Sequence, residues 1–109
     1  MGQSIIHDKS SRTCYLCAKL HYDFSQKTVL EEHHIFGGNP NRRNSERYGL
    51  KVYLCPGHHR TSDEAVHRTD RNDCQRMLHI MGQRYFEEYY PQLDFVAIFG
   101  RNYYAEEEP

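Results

Sequence analysis

Two short residue pairs constrain this chain more than anything else in it. Cys14 and Cys17 have two residues between them, and Cys55 and His58 again have two. Structural zinc takes four ligands, mostly cysteine or histidine, in a tetrahedron, commonly as two close pairs far apart in sequence. A short turn presents both members of a pair to one ion, and joining the pairs closes a long loop. A chain of 109 residues makes one domain with a modest core. Folds of this size are often stapled by metal or disulfides. The spacing therefore predicts a zinc-stapled domain with Cys14, Cys17, Cys55 and His58 as ligands. Cys74 has no close partner, and its helical spacing from Leu78 reads as packing.

The alternative use of four cysteines is a disulfide framework in a secreted protein. Residues 1–13 are polar and lack the apolar segment of a secretory leader. The longest apolar run, Phe95–Phe99, is far too short to span a membrane. The expectation is a cytoplasmic protein with metal-bound thiols and no membrane partner.

Along the chain, residues 1–13 read as a flexible N-terminal segment and 14–103 as a single α+β domain, with a metal core over 14–68 and supporting helices over 72–100. Residues 104–109 read as an acidic tail. Thr28–Ile35 reads as a strand, because its β-branched residues end at Gly37-Gly38-Asn39-Pro40. The polar stretch Asn39–Tyr48 reads as a loop, Leu50–Leu54 as the returning strand, and His58–Arg68 as a helix after Pro56-Gly57. Met77, Leu78, Met81, Tyr85 and Tyr89 recur at helical spacing and place a helix over 72–90, ended by Pro91. Leu93–Phe99 is a shorter amphipathic segment stopped by Gly100.

Net charge is −1, so bulk electrostatics announce no nucleic-acid binder. The distribution is more informative. Residues 42–84 hold nine Lys/Arg against five Asp/Glu, whereas residues 85–109 hold one Arg against six acids. The basic excess brackets the second histidine cluster with Arg42, Arg43, Arg47, Lys51, Arg60, Arg68 and Arg71, which suggests a phosphate-binding face.

With His58 assigned to zinc, His59 is left over, and His33 and His34 lie on a strand inside the loop that the zinc closes. Three imidazoles are thereby available for a second site. Neighbouring strand residues point to opposite faces, so His33 and His34 share a site only if the strand twists or ends there, next to Gly37-Gly38.

The segment His33-His34-Ile35, followed by Leu54-Cys55 and then His58-His59, with Cys14/Cys17 upstream, resembles the HNH endonucleases of the ββα-metal superfamily. The likeness covers roughly residues 14–68, with His58 in place of the second Cys of the later pair. The longer stretch from Gly37-Gly38 through Ser45–Leu50, and the ending Phe99–Tyr103, are similar to small HNH proteins of phages and prophages. The resemblance implies a small zinc-stapled ββα-metal, treble-clef-like finger with additional C-terminal helices, acting on DNA in a bacterial or phage-infected cell. It implies His34 as general base and His33, His59 and Asp63 as ligands of one catalytic divalent metal, Mg²⁺, Mn²⁺ or another transition metal. His67 is the reserve ligand, and Arg42, Arg43, Arg47 and Arg60 bind nucleic acid. The products it implies carry a 5′ phosphate and a 3′ hydroxyl. Leu50 stands where the family usually has its middle Asn; Asn41 or Asn44 could brace the inter-strand loop instead. The rival class is a non-catalytic zinc module binding DNA or a protein partner. A zinc peptidase lacks its His-Glu-x-x-His helix here.

Overall fold

Two four-residue antiparallel strands, β1 (Glu31–His34) and β2 (Lys51–Leu54), form the centre of the molecule. Glu31 lies opposite Leu54, Glu32 opposite Tyr53, His33 opposite Val52 and His34 opposite Lys51. A computed structural model describes residues 3–61, 65–66 and 73–104. Around the strands lie α1 (Tyr15–His21), α2 (Asn41–Tyr48), α3 (Asp73–Tyr89) and α4 (Phe95–Phe99), an α+β arrangement. Every residue of β2 is buried, whereas β1 carries polar side chains throughout. Strand β2 is therefore the inner wall and β1 the one that presents chemistry. Among the described residues, no helix is long and apolar enough to cross a membrane.

The core is largely aromatic. The Phe36 ring sits among Phe95, Phe99 and Tyr103 with centroids 4.9–5.3 Å apart, and stacks on His79. Helix α3 comes close to this ring because position 82 is glycine. A β-carbon there would lie 3.0 Å from Phe36 and 3.1 Å from Ile35. Asp94 caps α4 by accepting the Ala97 N–H, and Gly100, at φ 86°, ends it. Asp73 stands in the first turn of α3, and Cys74 packs at the edge of the core.

Four expectations need correction. Residues 39–48 are not a loop: from Asn41 onward they form α2, closed by Gly49 at φ 74°. Apart from Tyr48, which packs on Phe86, Tyr90 and Phe99, its inward face uses hydrogen bonds, so no hydrophobic period marked it. The buried Ser45 hydroxyl donates to Phe36 O and accepts from Phe36 N–H. Asn41 and Asn44 donate to the carbonyls of Phe99 and Ile98, tying α2 to α4.

Residues 3–13 are not a loose lead-in. Ser4 donates to Lys51 O, Ile5 N–H donates to Gly49 O, and Tyr53 N–H donates to His7 Nδ1. A 3-10 turn at Lys9–Ser11 then delivers the chain to Cys14. Short-range polarity concealed these bonds, whose partners lie more than forty residues away.

Of the helix expected over residues 58–68, the described residues form a π-helical turn at Gly57–Thr61, and Ala65 and Val66 are not helical. The His58 ring turns inward, and Val66 N–H bonds back to His58 O. Residues 62–64 and 67–72 lie outside the described set, and with them Asp63, His67, Arg68 and Arg71. The strand expected from Thr28 begins at Glu31; the Lys27 and Thr28 carbonyls accept from the Arg12 guanidinium instead.

Candidate metal centre and the strand histidines

Cys14 is the N-cap of α1, in extended backbone, and its sulfur accepts the Cys17 N–H. That cap makes the Cys-x-x-Cys spacing work, because one helical turn brings Cys17 back over Cys14. Cys55 follows β2, and the widened turn after Pro56 swings His58 inward. The Cys17 and Cys55 sulfurs stand 3.8 Å apart. His58 Nδ1 lies 3.5 Å from Cys14 Sγ, 3.3 Å from Cys17 Sγ and 3.5 Å from Cys55 Sγ.

These separations can be tested against a zinc tetrahedron. With Zn–S near 2.3 Å and Zn–N near 2.05 Å, sulfur–sulfur edges come to about 3.8 Å and sulfur–nitrogen edges to about 3.5 Å. The Cys17–Cys55 edge and the three edges to His58 agree with those lengths to within about 0.2 Å. All four cysteines are free thiols, and the group Cys14, Cys17, Cys55 and His58 fits a structural zinc. Burial, followed by the neighbouring Cys14 sulfur, pushes the Cys17 thiol up to about 12. At Cys55, burial is outweighed by hydrogen bonds from the His58 backbone and ring, and the thiol is drawn down to about 7.

The three remaining imidazoles do not form one group. His33 and His59 approach each other, with ring centroids 5.3 Å apart and planes at 70°. Glu31, two residues before His33 and so on the same face of β1, accepts from His59 Nδ1 at 2.7 Å and pairs with Arg60. The His59 and Arg60 partners hold the Glu31 carboxyl below the usual range.

His34 faces the other way. Its Nε2 lies 2.8 Å from Glu46 Oε1 on α2, and Lys51, opposite it in register, reaches both Glu46 oxygens and Glu32. Strand alternation set this split, and the regular register carries it to the end of β1. Hydrogen bonds from His34 and then Lys51 hold the Glu46 carboxyl below the usual range. Lys51 is pushed down by burial, but Glu32 and Glu46 more than offset this and raise it.

Arg42 and Arg43 are exposed on α2 and line an open cleft with Glu32, His34 and Glu46. Arg47 lies over the Tyr48 ring, 5.4 Å from its centroid. Arg60 stands on the His59 side. Sequence reasoning missed Glu31, Glu32 and Glu46, and it placed Lys51 on a basic phosphate-binding face, whereas Lys51 is buried and paired with Glu32 and Glu46. For Glu31 and Glu32 the signal was there, since i and i+2 share a strand face. For Glu46 and Lys51 it required the helix and the register. No known family model matches the chain, and neither does any curated protein or solved structure.

Proposed function

We propose that the chain is a metal-dependent DNA endonuclease of the HNH kind, with a ββα-metal, treble-clef-like core. His34 is the general base. His33 and His59, with Asp63 as third ligand, hold a second divalent ion, Mg²⁺, Mn²⁺ or another transition metal. The observation that carries the reading is the approach of His33 to His59 at 5.3 Å, directly after the cysteine-rich cluster. Because a carboxylate only accepts, the Glu31 contact fixes the His59 proton on Nδ1 and makes Nε2 the ligating nitrogen. When bound, such an ion stabilises charge on the scissile phosphate and on the leaving 3′ oxygen. Arg42, Arg43, Arg47 and Arg60 hold flanking phosphates, so affinity for DNA falls with salt at a log–log slope of about 0.9 per contact.

The separation of His34 from His33 and His59, on the other face of β1, favours a second reading, a non-catalytic zinc module binding DNA or a protein partner. Plasmid nicking with and without chelator separates the two. On the nuclease reading, His34→Ala loses about 10²–10⁴-fold in rate and keeps its zinc. His59→Ala weakens the second ion's binding and is partly rescued by added Mg²⁺ or Mn²⁺. Full activity in His34→Ala would remove the base assignment. No cleavage by the unaltered protein with any divalent metal would leave the binding module.

A further inference from the structure

We propose that Glu46 is a positioning residue for His34: it accepts a hydrogen bond from Nε2–H, so that Nδ1 is the nitrogen offered to the attacking water. The inference rests on the nuclease reading above. An ionised carboxylate has no proton to donate, so a contact of 2.8 Å between His34 Nε2 and Glu46 Oε1 requires the imidazole to be the donor. A neutral imidazole has one N–H. Once it is placed on Nε2, the lone pair that can receive a proton is on Nδ1.

The carboxylate is itself held in place. Lys51 Nζ donates to Glu46 Oε1 at 3.1 Å and to Oε2 at 3.2 Å, and it pairs with Glu32 at 3.0 Å. The Lys51 side chain is only 6% exposed, so its ammonium is a fixed anchor rather than a mobile surface charge. Glu32 is the other carboxylate near the ring, but at 3.8 Å from Nε2 it is beyond hydrogen-bond range. The chain Glu32–Lys51–Glu46–His34 thus ends on one ring atom.

This arrangement gives the base two things. It fixes the ring's tautomer, and it sets a negative charge beside the imidazolium that forms when the proton arrives. In the step itself a water O–H bond breaks and its proton goes to Nδ1. The oxygen forms the new bond to phosphorus, the bond to the 3′ oxygen breaks, and that oxygen is protonated from solvent.

The test reads the tautomer separately from activity. Long-range ¹⁵N–¹H correlation spectra of the zinc-loaded protein at mildly alkaline pH report which nitrogen of His34 is protonated. The expected result is an Nε2–H ring in the unaltered protein and in Glu32→Ala, and a mixture of tautomers in Glu46→Ala. Kinetically, Glu46→Ala should lower kcat about 10–100-fold with KM for DNA unchanged, and Glu46→Asp should recover part of the loss. An Nδ1–H ring in the unaltered protein, or an unchanged tautomer in Glu46→Ala, overturns the inference. Intact cleavage with an unchanged tautomer overturns this inference alone, whereas an unaltered protein that cuts no DNA overturns the nuclease reading and the catalytic role with it.

Discussion

Replacing Cys55 by serine tests whether the fold depends on its metal cluster. The Cys55 sulfur lies 3.8 Å from that of Cys17 and 3.5 Å from His58 Nδ1, so one vertex of the tetrahedron is lost. The cluster joins the start of α1 to the end of β2, across 38 to 44 residues of chain. Zinc in small structural sites contributes about 10–16 kcal/mol at neutral pH. The net stability of an ordinary domain is about 5–15 kcal/mol. Losing even half of the zinc contribution, about 5–8 kcal/mol, is comparable to the whole reserve. Elemental analysis should find one zinc per chain in the unaltered protein and none in Cys55→Ser. Thermal melting followed by circular dichroism should lose its cooperative transition in the variant, and a chelator should reproduce that loss. Cys74→Ser, outside the cluster, should keep its zinc. A zinc-free Cys55→Ser protein that still melts cooperatively near the original temperature would refute the reasoning.

Gly82→Ala sets a β-carbon 3.0–3.2 Å from the Phe36 ring and Ile35. Overpacking of about 1–3 kcal/mol outweighs a helix gain of about 1 kcal/mol, so the melting temperature should fall by several degrees; a rise would mean that the ring yields. Ser45→Ala strands the buried Phe36 N–H and should cost about 1–3 kcal/mol in denaturant unfolding. His7 is held below its usual pKa by burial, with Asp8 opposing, and its Nδ1 must be unprotonated to accept the Tyr53 N–H. Its stabilisation is therefore complete above the unfolded pKa of about 6.5 and declines as the pH falls below it; the loss of stability between neutral and mildly acidic pH should be smaller in His7→Asn.

What could be read from the sequence divides along physical lines. The cysteine-rich cluster was legible because four ligands for one ion leave a spacing signature that survives ignorance of everything between them. Helix α3 was legible because Met77, Leu78 and Met81 bury one face at helical period. Helix α2 was not, because apart from the single ring of Tyr48 what it turns inward are Asn41, Asn44 and Ser45, whose partners Phe36, Ile98 and Phe99 are known only once the chain has folded. The strand histidines lie between these cases. Their residue types signalled chemistry, but two adjacent side chains on a regular strand part to opposite faces. Which partners each meets, Glu31 and His59 or Glu46 and Lys51, was settled by register and by a helix that composition had disguised.

The seam between residues 4–7 and β2 has a consequence for how the molecule behaves in company. Lys51 O and Tyr53 N–H point away from β1, and a two-stranded sheet with such groups open offers a template on which another chain can add a strand. Ser4 and His7 occupy those two groups with side chains, which cannot propagate a ladder as a backbone would. The polar segment that looks most dispensable in the sequence is thus a guard against self-association. Shortening it would strip Ile5 and Ile6 from the edge of the core and leave the sheet open to its own copies.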